Sequence, residues 1–108
     1  SRVRDISEYY KSMFFNKKIS KEELLNEIEE YIIKNNLNND EIIMLFSRFL
    51  YPSYYFDIYE DIIQNNVDEK SLLKIINLIT EYENFIKELY LYLRKIIVFP
   101  EIEWLETM

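Results

Sequence analysis

The sequence predicts an all-α fold: an irregular bundle of five main helices plus a short C-terminal helix, forming a single domain over residues 1–108. Three observations support this class. Apolar residues recur at helical spacing along almost the whole chain. Residues that favour helix ends stand between these periodic segments. The composition, 49% hydrophobic and 31% charged over 108 residues, is that of an ordered globular domain with its own core.

The first two helices are predicted within residues 6–34. The first has apolar residues at i, i+3, i+4 and i+7, namely Ile6, Tyr9, Tyr10 and Met13. The second has a similar stripe, namely Leu24, Leu25, Ile28, Tyr31 and Ile32. Ser20-Lys21-Glu22-Glu23 is a capping box, which favours a helix start. Asn35-Asn36 stands where glycine usually ends a helix, because asparagine also tolerates the left-handed conformation.

Residues 40–64 predict a third and a fourth helix. Asn39-Asp40-Glu41 can open the third, because carboxylates are favoured at the positive end of a helix dipole. Its apolar stripe is Ile42, Leu45, Phe46 and Phe49. The stripe of the fourth is Tyr55, Ile58, Tyr59 and Ile62. Pro52 lacks an amide proton and suits a first turn, so it splits the segment near Tyr51. Asn65-Asn66 then ends the fourth helix.

The fifth segment, around residues 69–97, is the longest and is expected to organise the bundle. Asp68 is a plausible N-cap. Its apolar residues alternate spacings of three and four: Leu72, Ile75, Ile79, Tyr82, Ile86, Leu89, Leu93 and Ile96. A coiled coil has the same period, but the stripes of the other helices favour a bundle. About 28 residues at 1.5 Å each would span about 42 Å.

The end of the chain predicts a stop and a short appendage. Pro100 is expected to terminate the long helix. Residues 101–105 follow as a short turn of helix or a docking tail. Residues 96–99 are a candidate extended stretch, because β-branched and aromatic side chains crowd there.

Missing residue types exclude several kinds of chemistry. The chain has no cysteine and no histidine, which rules out disulfides, thiolate nucleophiles and the usual general base. It has no glycine, and phosphate-cradling loops need glycine where the backbone approaches the anion. We therefore expect no catalytic residue, no cofactor and no metal. An enzyme using only carboxylates, lysine or tyrosine is a third and weaker alternative.

The charge balance argues against nucleic acid and anionic membranes as partners. The net charge is −7, although Arg2, Arg4, Lys11, Lys17 and Lys18 make the amino end locally basic. Apolar runs of four or five residues are far too short for a membrane span. Ser1-Arg2-Val3-Arg4-Asp5 is not a signal peptide and is interpreted as a cut end. The lack of cysteine and of an export signal favours a cytoplasmic location.

Two acidic segments are weak metal candidates. Asp57, Glu60 and Asp61 share a helical face and could bind a divalent cation, but a solvated face is the favoured interpretation. Residues 36–41 faintly resemble a calcium loop. They lack its turn glycine and its glutamate at the twelfth position.

The aromatic residues, 17% of the chain, are candidates for both core and interaction surface. The candidate interaction residues are Tyr51, Tyr54, Tyr55, Tyr59 and Trp104. Burial of the tyrosine rings is favoured over a binding patch, and Trp104 is either a lid on the bundle or a hot spot for another chain. Arg48, Pro52 and Pro100 are assigned structural roles, with Arg48 pairing with a carboxylate or with carbonyls at a helix end.

Several short pieces, in order, resemble the C-terminal helical part of the spore-coat-associated, kinase-like proteins related to aminoglycoside and choline phosphotransferases. The pieces cover nearly the whole chain: Arg4-Asp5-Ile6, residues 37–41, Arg48-Phe49-Leu50-Tyr51-Pro52 with Tyr55-Phe56, Tyr82-Glu83 with Phe85, and residues 100–105. The resemblance implies the end of a kinase-like C-lobe. The family's catalytic loop and metal-binding motif would lie upstream, so no catalytic residue transfers to this chain.

The resemblance implies a non-catalytic helical support and interaction segment of a kinase-like spore coat protein. Its partner would be another protein or the missing part of its own chain, and a homo-oligomer is left open. An exposed apolar patch is expected where the missing part packs. The alternative is a stand-alone acidic interaction module of the phage or host-defence inhibitor type, which would oppose a basic partner.

Overall fold

A computed structural model describes residues 2–50, 60, 62, 64 and 68–106. Over these residues all regular structure is helical, as predicted. The helices are α1 (Arg2–Phe15), α2 (Lys21–Lys34), α3 (Asn39–Leu50), α4 (Glu69–Ile96) and the short α5 (Glu103–Glu106). The helix predicted after Pro52 lies mostly outside the described residues, although 60, 62 and 64 are helical. Five main helices are therefore not confirmed.

Local capping interactions set the ends of α2 as the sequence predicts. The Ser20 hydroxyl accepts a hydrogen bond from the Glu23 amide at 3.1 Å, and the Glu23 carboxylate accepts one from the Ser20 amide at 3.4 Å. This reciprocal pair satisfies two amides that the first turn leaves free. At the other end Asn36 adopts a left-handed φ of 48°, a conformation that asparagine tolerates better than most residues.

Similar caps begin α3 and α4. The Asn38 side chain accepts from the Glu41 amide at 2.8 Å, and the Glu41 carboxylate accepts from the Asn38 amide at 3.1 Å. These oxygens, which faintly suggested a calcium loop, cap α3 instead. Asp68 caps α4 by accepting from the Ser71 amide at 2.8 Å, and this bond lowers the pKa of the Asp68 carboxyl.

The core lies where α3 and the second half of α4 meet α1 and α2. α1 packs chiefly against α3, and α4 contacts both α2 and α3. The buried apolar residues are Tyr10, Phe14, Leu24, Ile28, Ile32, Leu37, Ile42, Leu45, Phe46, Phe49, Tyr82, Phe85, Ile86, Leu89, Tyr90, Leu93 and Leu105. Aromatic rings meet edge to face at its centre, with centroids 5.4 Å apart for Phe14 and Tyr82 and 5.6 Å apart for Phe49 and Phe85. The predicted stripes of α2 and α3 face this core.

The predicted stripe of α1 is confirmed for Tyr10, which is buried, and for Ile6, which packs against the core, but not for its other two members. Tyr9 is 57% exposed and Met13 is only half-buried. Beside Tyr10, the buried residues of α1 are Ser7, Lys11 and Phe14. Ser7 and Lys11 were missed because apolar periodicity counts apolar residues alone. A serine or a lysine that finds polar partners can also face the core.

α4 has the predicted length of 28 residues, but only its second half is buried. Buried side chains begin at Tyr82 and end at Leu93, whereas Leu73 and Ile76 are 56% and 49% exposed. The helix ends at Ile96, and Ile97 adopts extended backbone with φ −142° and ψ 165°. Pro100 therefore lies beyond the helix end and does not itself stop it. No helix in the described ranges is long and apolar enough to cross a membrane.

Residues 97–106, which we call the C-terminal strap, fold back onto α3 and α4. The buried Tyr90 hydroxyl accepts from the Ile102 amide at 2.9 Å and donates to the Glu106 carboxylate at 3.2 Å. Arg94 pairs with the same carboxylate. Leu105 is fully buried. The Tyr90 hydroxyl thus holds the C-terminal strap through two hydrogen bonds.

Replacing that hydroxyl should loosen the strap. Tyr90→Phe keeps the ring but removes both hydrogen bonds, so we expect a loss of about 1–2 kcal/mol in the free energy of unfolding. Urea denaturation followed by circular dichroism measures it. Tyr9→Phe, on an exposed side chain, is the control, and an equal effect of the two substitutions would contradict the role given to Tyr90.

Candidate functional site

The carboxyl end of α3 is held by side chains from two other helices. The Lys11 ammonium of α1 donates to the Arg48 carbonyl at 2.8 Å, and the Tyr82 hydroxyl of α4 donates to the Phe49 carbonyl. The last carbonyls of a helix lack intrahelical partners. The residue four positions after Arg48 is Pro52, which has no N–H to offer. Lys11 and Tyr82 therefore supply donors from outside the helix.

The burial of Lys11 was not predicted from the sequence. The residue was assigned to a basic amino end, yet its side chain is only 1% exposed. Glu8 lies one turn earlier and pairs with the ammonium at 3.0 Å. The cation also lies at the negative end of the α3 dipole, which favours it. The sequence signal for this contact was Pro52. A proline four residues after Arg48 has no N–H to donate to the Arg48 carbonyl, which therefore needs another donor.

Removing this ammonium should destabilise the fold. Lys11→Met keeps most of the side-chain volume but leaves the Arg48 carbonyl without its donor, at an expected cost of about 2 kcal/mol. Chemical denaturation measures the change, and Lys70→Met on the exposed start of α4 is the matched control. Unchanged stability of Lys11→Met would show that the bond to Arg48 contributes little.

Two tyrosine hydroxyls border α2 and interact with its glutamates. Tyr10 of α1 donates to Glu27 at 3.2 Å. Burial and the Glu27 carboxylate raise the pKa of Tyr10 to about 12. Burial and Glu29 likewise raise the pKa of Tyr92 of α4. Both phenols are therefore neutral hydrogen-bond donors at neutral pH, suited to positioning helices and not to acting as bases.

This arrangement gives a pH dependence with a definite sign. Because the folded pKa of Tyr10 lies above its unfolded value, its contribution to stability is complete below about pH 10 and is lost as the pH rises towards about 12. We expect Tyr10→Phe to lose less stability than the wild type on going from neutral pH to about pH 11. Urea midpoints at the two pH values measure this, and parallel losses would exclude Tyr10 as the cause.

An open cavity lies between the α1–α2 turn and the middle of α4. Its volume is about 650 Å³, which is within the usual range for ligand pockets. It is lined by Phe14, Lys17, Lys18, Ile19, Ser20, Lys21, Glu22, Glu23, Leu78, Glu81 and Asn84. We call it the turn cavity. The sequence reasoning missed it, since its walls come from two distant parts of the chain.

The predicted site residues are only partly visible. Tyr51, Pro52, Tyr54, Tyr55 and Tyr59 lie outside the described residues, as do Asp57 and Asp61. Trp104 belongs to α5, but its side chain is not described. The Arg48 side chain is exposed beside Met44 and Ser47, and Pro100 is exposed in the strap. Among the predicted interaction and structural residues, the side chains of Arg48 and Pro100 alone are described, and both are exposed.

Across the described part of the chain, no three acidic side chains are grouped so that they could hold a metal ion. Glu60 of the predicted acidic face is exposed, and the other two residues of that face lie outside the described residues. The polar chemistry of these residues therefore consists of helix caps, tyrosine–glutamate pairs and the mixed charges of the turn cavity.

These features define an all-helical scaffold in which buried polar groups bind the backbone. A family model described as "Spore coat putative kinase YutH" matches residues 1–89. The chain therefore belongs to this family, and the resemblance drawn from its short sequence pieces is confirmed. No curated protein and no solved structure matches the chain. The end of α4 and the C-terminal strap lie beyond the matched residues.

Proposed function

We propose that this chain is a non-catalytic helical support and interaction segment of a kinase-like spore coat protein. The supporting observation is what its buried polar side chains do. Lys11 and Tyr82 bind carbonyls of α3, and Tyr90 binds the strap. Side chains that could otherwise take part in catalysis therefore bind backbone groups. Phosphoryl transfer, in contrast, needs positioned metal ions and groups that hold the phosphate.

Family membership supports a place at the spore coat, since the family description names that structure. The proposed partner is another coat protein or a further part of the same polypeptide. The net charge of −7 disfavours nucleic acid and anionic membranes as partners.

The alternative, a stand-alone acidic interaction module, draws support from the outer face of α2. Its exposed carboxylates are Glu22, Glu23, Glu27, Glu29 and Glu30. Such a face would oppose a basic partner. The family match supports the coat segment over this alternative.

The proposed function is tested by localisation and turnover together. We expect a fluorescent fusion of this chain to collect at the spore periphery in sporulating cells. The purified chain, incubated with labelled ATP and Mg²⁺, should transfer no phosphate. Lys11→Met should weaken peripheral localisation by loosening the scaffold, whereas the exposed control Lys70→Met should not. Phosphate transfer by the purified chain, or diffuse fluorescence of the wild type, would overturn the proposal.

A further inference from the structure

We propose that two copies of this chain exchange their C-terminal straps, so that each strap docks on α3 and α4 of the other copy. A second copy is one partner that the proposed interaction function allows, and the inference rests on that function. Two features point to this partner: the way in which the strap is bound, and the residue that joins it to α4.

The strap is bound in the way that a separate peptide would be. The ring of Phe99 packs edge to face on Phe46 and on Tyr90, with centroids 5.1 and 5.8 Å apart. Leu105 is fully buried, and the Ile102 amide donates to the Tyr90 hydroxyl at 2.9 Å. This surface of α3 and α4, which we call the strap site, thus recognises an aromatic side chain, an aliphatic side chain and a backbone amide.

The strap site also recognises a carboxylate. Glu106 pairs with Arg94 and accepts a hydrogen bond from Tyr90 at 3.2 Å. The Arg94 guanidinium lies 5.4 Å from the centroid of the Tyr90 ring. The side chains of Arg94 and Glu106 are 43% and 29% exposed. Because this ion pair lies at the edge of the strap site, its charges can be reversed without burying an unpaired charge.

The strap is joined to α4 by a residue that makes few contacts. α4 ends at Ile96, and Ile97 already has extended backbone. Val98, which we call the hinge, is 90% exposed and makes no hydrogen bond within the described part of the chain. The docked contacts begin with Phe99. A change in the backbone angles of Val98 would therefore redirect the whole strap while keeping its docking residues together.

A second copy supplies the sequence that occupies the strap site in this structure. Exchange preserves the docking contacts, so its equilibrium depends on the hinge and on the chain concentration. In an exchanged pair the two hinges cross side by side. The exposed Val98 side chains can then pack on each other, and their free backbone groups can pair. The exposed apolar hinge thus favours exchange over docking within one chain.

The experiment uses two charge-reversal variants of the full chain, Arg94→Glu and Glu106→Arg. Each variant alone places like charges at the strap site, whether its strap docks within one chain or on an identical copy. In a mixed pair that exchanges straps, opposite charges meet again at both strap sites. Docking within one chain cannot restore this match.

The variants are unfolded in urea and refolded separately and together, and the dimer fraction is measured by native mass spectrometry. We expect about tenfold more dimer in the mixture than in either variant alone. The double variant Arg94→Glu/Glu106→Arg should behave like the wild type. The control mixture combines Lys21→Glu with Glu88→Lys, which reverse an ion pair of 3.3 Å between α2 and α4 that involves no strap residue. This mixture should show no such gain.

The wild type provides a measurement that needs no substitution. Its dimer fraction in sedimentation should rise with chain concentration, and a wild type that stays monomeric at about 1 mM would contradict strap exchange. A variant mixture that stays monomeric would also contradict it, as would an equal gain in the control mixture. Circular dichroism checks that each sample has refolded. These failures leave the proposed function intact, because coat localisation is measured separately. Diffuse localisation combined with normal exchange would overturn the proposed function alone.

Discussion

The carboxyl end of α3 is the constraint on which the described packing depends. A helix end placed inside a protein cannot leave its carbonyls unsatisfied without a free-energy cost. Lys11 and Tyr82 meet this requirement from opposite helices by binding the adjacent carbonyls of Arg48 and Phe49. These two polar contacts fix where α1 and α4 lie against α3. The aromatic packing of Phe14, Phe49, Tyr82 and Phe85 is compatible with that placement.

Local interactions made much of the fold predictable from the sequence. Ser20, Asn36 and Asp68 mark helix ends through contacts within a few residues, so their patterns can be read directly. The face of α1 could not be predicted in the same way. The partner of Lys11 lies 37 residues further along the chain, and only the tertiary structure makes a buried ammonium favourable there. Apolar periodicity therefore placed the exposed Tyr9 on the core-facing side and missed the buried Lys11.

The candidate site was less predictable than the fold. The turn cavity joins Lys17 and Lys18 to Leu78 and Glu81, and no local pattern connects these residues. The burial of Leu105 in the strap was also not predictable, because the sequence of so short a terminal segment does not show which side chains face the core. Family membership was easier to recognise, since it depends on which residues occur in order and not on which of them touch.

The left-handed turn at Asn36 has a consequence for chemical ageing. Asparagine deamidates when the following backbone nitrogen attacks its side-chain carbonyl, fastest when glycine follows. Here Leu37 follows, with its side chain buried and its amide hydrogen-bonded to Ile32 at 3.2 Å. A glycine-free chain has no asparagine–glycine step at all. Using asparagine to end this helix thus carries little risk of slow covalent damage.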